Sequence, residues 1–367
     1  MAKYNNEWEY LVHLLSSVLK GEKPDELPEN LSFHSLFSLA SFHSVANMAY
    51  YGIEQLQTRP DKELTAKWAE VRDKEIMKDI TQQMELEQLT AELEKAEVKF
   101  ILLKGSCLKI LYPQSDFRSM ADIDFYIDEE NNEKVRDVLL SMGYEINSLE
   151  HGVHDVYYKK PVMNIEVHKA LFGNSGREFS PVFENLWDKC DCVKGTCYNL
   201  TPDYFFAYLV AHGIKHYDIG GTGIRSFMDI HVYLNKKAAV TDLKKTAELF
   251  SAIGKKEIYE DFLRLSEIWF ADGEYTEKYK SMTEFIMKGG TYGTLENQVE
   301  NGIKRSGRAK FIFIKLFPQL NYMREQYPVL KKAPVLLPFC WVVRWVKAAT
   351  VNRRQTKIKM NALKNKK

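Results

Sequence analysis

The stretch ADIDFYI, from Ala121 to Ile127, sets Asp122 and Asp124 one residue apart inside an apolar run. In a strand, residues two apart share a face, so the carboxylates point one way and Ile123 and Phe125 the other. A bare buried carboxylate is costly, so such charges need a partner. Two carboxylates can share a divalent cation, and Mg²⁺ commonly takes one or two of them together with substrate phosphates. A strand end whose aspartates bond lysines or backbone amides would balance the same charges without chemistry. Upstream, Gly105-Ser106 stands where a strand meets a helix expected to start near Ser106. A glycine there lets backbone approach a phosphate, and a helix N-terminus offers free N–H groups; a plain turn is the alternative. Downstream, NIEVH carries Glu166 among apolar neighbours, with His168 two residues on. If that strand lies beside the first, Glu166 is a third carboxylate at one site; otherwise it is a salt-bridge partner.

These residues must be held by elements. Before residue 98 the chain reads as helices: EWEYLVHLLSSVLKG stopping at Gly21, SLFSLASFHSVANMAYYGIEQL, and a run from Asp61 to about Glu97 free of proline and glycine that makes one long helix or two. At Val98 the texture changes. VKFILL, ADIDFYI, HDVYYKK and NIEVHKAL read as strands, with PVMN as a hairpin turn, and EENNEKVRDVLLSMGY reads as a helix ending at Gly143. The order is β-α-β-α-β-β. Residues 173–200 read as irregular. Within them Cys190, Cys192 and Cys197 fall in a hairpin-like connection that lacks the CxxC pairs of common zinc sites. Thr201-Pro202-Asp203 combines an N-cap, a first-turn proline and an acid, and opens helices over 202–218, 224–236, 241–253 and 256–271. The expected fold class is α+β. A small mixed-sheet core at 98–172 lies between an N-terminal helical segment (1–97) and a C-terminal all-helical domain (173–343), followed by a basic tail (344–367).

The helical part adds His212 and His216, then Arg225 and Asp229, each pair at i, i+4 on one helix face. H-x3-H can bind zinc, but the Glu of the HExxH motif is missing. These four residues are expected to form a wall of a cleft, an acceptor contact or an inter-helix hydrogen-bond network. DIGGTG, 218–223, lacks the lysine of a Walker motif and reads as a flexible joint.

The 367 residues are 45% hydrophobic and 28% charged, with a net charge of +1, so no global nucleic-acid or membrane signature exists. A processive polymerase, which must track a phosphate backbone, is disfavoured by the lack of a broad basic patch. The charge is uneven: from Arg344 onward there are nine Lys or Arg and no acid, while the first 343 residues carry 42 bases and 50 acids. The longest apolar run, APVLLPFCWVV, is too short to span a bilayer, which takes about 20 residues. It reads as a buried helix or, with Trp341 and Trp345 beside the basic tail, as a membrane-surface element. The polar N-terminus is no signal peptide, five cysteines suggest no disulfide framework, and a reducing cytoplasm is the expected location.

LLKGSCLKILYP, FRSMADIDFYI and NIEVHKAL together resemble the nucleotidyltransferase superfamily of DNA polymerase β. More closely, they resemble a group of uncharacterised bacterial nucleotidyltransferase-like proteins with L-K-G, then R-x-x-x-D-I-D, then a strand with an acid and a His. Here these are Lys104-Gly105, Arg118, Asp122-Ile123-Asp124, and Glu166 with His168; the fifteen residues between Ser106 and Asp122 make a spacer slightly longer than usual. The resemblance implies two-metal nucleotidyl transfer. Asp122, Asp124 and Glu166 would be the catalytic carboxylates holding two Mg²⁺ ions, with Mn²⁺ as the alternative. Lys104, Gly105, Ser106 and Arg118 would bind the nucleotide, and His168, His212, His216, Arg225 and Asp229 would face the acceptor or wall the cleft. The donor would be an NTP such as ATP, and the acceptor a small molecule, a glycan precursor, a protein or an RNA end. The rival reading is a catalytically silent relative that binds or regulates, at a membrane surface or elsewhere. Since paired carboxylates repel each other, Asp124→Asn is expected to be neutral or mildly stabilising.

Overall fold

The structure, a computed structural model, describes residues 4–149, 153–161, 163–271, 273–291 and 293–365. Its first helix, α1 (Glu7–Lys20), starts where the Asn6 side chain accepts from the Glu9 N–H and ends at Gly21, whose φ of 70° suits glycine. The segment read as one amphipathic helix is two, α2 (Phe33–Phe42) and α3 (Ala46–Ile53), because Ser44 turns to positive φ between them. The run from Asp61 is a single helix, α4 (Lys62–Lys95), with Asp61 accepting from the Leu64 N–H. At 34 residues it is about 50 Å long.

Seven strands make one mixed sheet: β1 (Phe100–Leu102), β2 (Ile123–Tyr126), β3 (Glu145–Ser148), β4 (His154–Lys159), β5 (Met163–His168), β6 (Cys190–Lys194) and β7 (Cys197–Leu200), in the order β3-β4-β5-β2-β1-β7-β6. Between β1 and β2 lies the one-turn helix α5 (Gly105–Leu108), and before β3 lies α6 (Asn132–Ser141). Two strands differ from the sequence expectation. EINS, with one apolar residue in four, forms β3 by pairing antiparallel with β4. The cysteine-bearing connection is a hairpin, as expected, but β7 pairs parallel with β1, so the sheet runs beyond residue 172.

Helices follow: α7 (Pro202–Ile219), α8 (Ile224–Lys237), α9 (Leu243–Ala252), α10 (Lys256–Phe270), α11 (Glu277–Gly289), α12 (Leu295–Ser306), α13 (Arg308–Leu316), α14 (Leu320–Gln326), α15 (Val329–Lys332), α16 (Leu337–Ala349) and α17 (Arg353–Asn365). At the start of α7 Pro202 sits in the first turn, but the Thr201 side chain makes no capping bond. Helices before and after the sheet share one apolar core containing Tyr10, Leu14, Trp68, Phe206, Phe227 and Phe262. A second core, with Leu89, Phe100, Ile123, Phe125, Leu139 and Ile165, fills the space between the sheet and α4 and α6. Because α4 gives Trp68 to one core and Leu89 to the other, it braces both. It also holds the segment between β1 and β2: Lys109 pairs with Asp79 at 2.5 Å, and the Gln82 amide donates to the Met120 carbonyl at 2.9 Å.

DIGGTG is a packed corner rather than a loose joint. Gly221 has φ 146°, and a Cβ there would lie 3.0 Å from the Gly293 Cα. No single helix among the described residues is long and apolar enough to cross a membrane; Pro334–Ala349 and Arg353–Lys364 meet at a 92° bend.

Candidate active site

Strand register does the positioning. β2 runs parallel to β5, with Asp124 opposite Glu166 and Tyr126 opposite His168; β4 runs antiparallel to β5, with His154 opposite His168. The period of two then places Asp122, Asp124, Glu166, His168 and His154 on one face. Ile123, Phe125, Ile165 and Val167 are buried on the other. Leu103 donates its N–H to the Asp124 carbonyl, which ties the Lys104-Gly105 turn to the same point. Lys104 itself sits at φ 43°, a strained conformation for a residue with a Cβ.

The polar face borders a cleft of about 350 Å³ closed by α7 and α8. Lys104, Gly105, Arg118, Asp122, Asp124, Glu166, His168, His212, His216, Arg225 and Asp229 all line it. Ser106 does not; its Oγ is buried without a hydrogen-bond partner. The helix expected near Ser106 is a single turn, Gly105–Leu108. A Cβ at Gly105 would strike the Met120 sulfur and lie 2.7 Å from Arg118 Nη1.

Charge is distributed unequally in the cleft. Asp124 is 2% exposed and its Oδ1 takes both Lys104 Nζ at 2.6 Å and His168 Nε2 at 2.7 Å. Burial pushes its pKa up, but these two partners win and hold it well below the usual carboxylate range. Lys104 is likewise opposed by burial, yet Asp124, with Tyr208 and Asp122, keeps its ammonium form strongly favoured. Asp122 has no ion-pair partner among the described residues, and burial, Asp124 and Glu166 together raise its pKa well above the carboxylate range. Burial pushes the Glu166 pKa up, but His168, Lys104 and His154 together hold it below its ordinary value. His168 is raised: burial opposes, but Asp124 and Glu166 hold the imidazolium.

Arg118, expected at the nucleotide, lines the cleft and pairs there with Asp229. It donates to Asp229 through Nε at 2.8 Å and Nη2 at 2.9 Å, and the Tyr112 hydroxyl donates to Asp229 at 2.6 Å. Arg225 donates to the Ser119 carbonyl at 2.7 Å rather than pairing with Asp229 on its own helix. His212 and His216 face each other with Nε2 atoms 3.2 Å apart, and burial lowers both pKa values. Among the described residues no third ligand stands with them.

Three cleft residues escaped the sequence reading. Tyr208 and Lys215 lie on the α7 stripe that carries His212 and His216, at spacing 208, 212, 215, 216, which helical periodicity could have revealed. The Tyr208 hydroxyl is buried and unpartnered. Lys215 has no ion pair among the described residues; burial and Lys104 lower its pKa to about 8. The third, His154, reaches the site only through the pairing of β4 with β5.

A solution structure of the antibiotic-resistance factor ANT(2'')-Ia is similar over 50% of this chain and 96% of that one, at 11% identity and a TM-score of 0.35. No curated protein matches the chain. Residues 29–271, about two thirds of the chain, match a family described as uncharacterised nucleotidyltransferase. That span takes in β1 to β7, the helices α7 and α8 that close the cleft, and α9 and α10, and the chain belongs to this nucleotidyltransferase family.

Proposed function

We propose that the protein transfers a nucleoside monophosphate from an NTP to an acceptor hydroxyl, with release of pyrophosphate, in the cleft between the sheet and α7–α8. The observation that carries this is Asp122, a carboxylate set beside two others with no ion-pair partner among the described residues, its charge only partly offset by Lys104 and Arg225. Folding gains nothing from such a group; a cationic ligand does. The donor set suits hard divalent ions, so Asp122, Asp124 and Glu166 would hold Mg²⁺, or Mn²⁺ in its place. Such ions offset charge on the attacking and leaving oxygens of an in-line displacement.

The chain's own side chains supply the remainder. Lys104, Lys215 and Arg225 line the cleft and bring positive charge toward a triphosphate. Gly105 allows the backbone to pass close to it. Glu166, kept ionised by His168, can accept the proton of the acceptor hydroxyl as its oxygen bonds to the α-phosphorus and the bond to pyrophosphate breaks. Arg118 acts through Asp229, fixing α8 against the Lys104–Asp122 segment. A small molecule, a glycan precursor, a protein hydroxyl and an RNA end can each present the acceptor group.

Calorimetric titration of an NTP with and without Mg²⁺ tests the site. Metal and nucleotide should tighten each other by the same factor, about 5–150-fold. Equal nucleotide binding in EDTA, or an undiminished Mg²⁺ effect in Asp122→Asn, refutes it. Incubation with each labelled NTP and cell-extract fractions then separates turnover from silent binding.

A second observation bears on where the protein works. Val335, Phe339, Val342 and Val346 recur at helical spacing, 85%, 67%, 49% and 56% exposed, on the stretch that also carries Arg344 and Lys347 and opens a sequence segment with nine bases and no acid. We infer that this face docks on an anionic lipid surface, its apolar side chains entering the headgroup boundary and its bases meeting the lipid charge. The full chain should co-sediment with phosphatidylserine vesicles and much less with phosphatidylcholine vesicles, and Phe339→Glu should release it. Indifference to lipid charge, or self-association without vesicles, overturns this.

A further inference from the structure

We propose that His154, Glu166 and His168 form a separate cation position that selects a Zn²⁺-type transition metal over Mg²⁺. The proposal names the metal chemistry at one side of the cleft and rests on the reading above only for the catalytic use of the ion.

The geometry comes from two paired strands. β4 sets His154 directly opposite His168, and Glu166 precedes His168 by two residues on the same face. Nε2 of His154 lies 3.7 Å from Glu166 Oε2, and Nε2 of His168 lies 3.5 Å from the same oxygen. The three ligand atoms fall within 4.8 Å of one another. A tetrahedral ion with bonds of about 2.0–2.2 Å separates its ligands by about 3.4 Å, so small side-chain movements complete the set. Two imidazoles and one carboxylate leave a fourth position open, and it faces the cleft that these three residues line. Strand backbone holds the ligands more rigidly than a loop would.

Folding alone does not account for the two rings. Both Nε2 atoms converge on the same Glu166 oxygen, at 3.7 and 3.5 Å; both Nδ1 atoms are buried without a hydrogen-bond partner, and a metal at Nε2 leaves them so. In the metal-free protein His168 Nε2 bonds Asp124 Oδ1 at 2.7 Å. Metal binding at that nitrogen releases the shared proton to solvent and leaves Asp124 Oδ1 to Lys104 alone. Imidazole donors favour zinc-type ions, whereas carboxylate and water donors favour Mg²⁺. The cleft thus offers two unlike positions that share Glu166: one completed by the carboxylates of Asp122 and Asp124, the other by the imidazoles of His154 and His168.

The test is titration of the full-length, metal-free protein with Co²⁺, a coloured substitute for Zn²⁺, followed by its visible d–d absorption. One equivalent should bind, Zn²⁺ should displace it, and a large excess of Mg²⁺ should not. His154→Ala should weaken Co²⁺ at least about tenfold, while Asp122→Asn should change it by less than about threefold. If His154→Ala fails to fold, His154→Cys replaces it; a sulfur-to-cobalt charge-transfer band must then appear. Absence of the visible band, displacement by equimolar Mg²⁺, or wild-type Co²⁺ affinity in His154→Ala overturns the proposal. Loss of Co²⁺ binding with Mg²⁺–nucleotide coupling intact removes this site alone, whereas the reverse removes the transfer reading alone.

Discussion

Two buried charge clusters border the same cleft and are built on opposite logic. On the helical side, Asp229 accepts two bonds from Arg118 and one from Tyr112, so both its oxygens are used. On the sheet side, Lys104 and His168 crowd onto one oxygen of Asp124, while Asp122 has no direct ion pair among the described residues and Lys104 and Arg225 offset its charge only in part. The first cluster balances its charge internally and joins α8 to the segment between β1 and β2. The second carries surplus negative charge. A balanced cluster needs nothing from outside, whereas an unbalanced one is a place for a ligand.

The contrast fails if the sheet-side acids prove structural. Asp124→Asn should give the largest effect, a loss of transfer activity of about a thousandfold or more, about 4 kcal/mol of transition-state stabilisation. The same change should lower stability by about 3 kcal/mol in urea unfolding, because Lys104 is left buried without its partner. This reverses the neutrality expected from repulsion between paired carboxylates. Repulsion acts mainly on Asp122, whereas Asp124 is the acid that Lys104 and His168 neutralise.

Arg118→Met tests the other cluster. It strands a buried Asp229 and should cost about 3–5 kcal/mol of unfolding free energy. A loss of activity at unchanged stability would place Arg118 on the nucleotide instead. Gly105→Ala should be milder, about 1–3 kcal/mol from overpacking against Met120 and Arg118, and should raise the KM for NTP.

The smallest effect is a pH slope. The Asp122 carboxyl has a raised pKa in the fold, so between about pH 4 and that raised value the native state binds more protons than the unfolded chain. Stability contributed there is present at low pH and lost as pH rises. Asp122→Asn should flatten that slope in metal-free buffer and leave stability near pH 7 unchanged or slightly higher. Asp124 has the opposite sign: its contribution stands above the unfolded carboxylate value and disappears only as pH falls. A wild-type slope surviving in Asp122→Asn would mean the uncompensated charge lies elsewhere.

Much of this was legible residue by residue. The alternation in ADIDFYI put Asp122 and Asp124 on one face of β2, and the same rule paired Glu166 with His168 on β5. A glycine stop located the end of α1 and a first-turn proline the start of α7, and the expected spans of α4 and α8 fall within about two residues of the observed ones. These signals come from sterics and hydrogen bonds within a few residues of each other, which the local sequence carries in full. Ser44 escaped because a single positive-φ serine leaves no pattern, and β3 escaped because its pairing with β4, rather than its own side chains, makes it a strand.

What the sequence by itself determined, then, is which side chains share a face. What only the tertiary structure decided is which charge meets which. Arg118 reaches Asp229 across 111 residues, Lys104 reaches Asp124 across 20, and His154 joins Glu166 and His168 because β4 pairs with β5 in one register. A slip of one residue in that register would turn His154 to the opposite face. Ion-pair partners are chosen by the packing of whole strands and helices, a long-range property with no short-range pattern. That is why three acids read alike in sequence and yet differ in the fold: one neutralised by Lys104 and His168, one lying between two imidazoles, and one with no ion pair among the described residues.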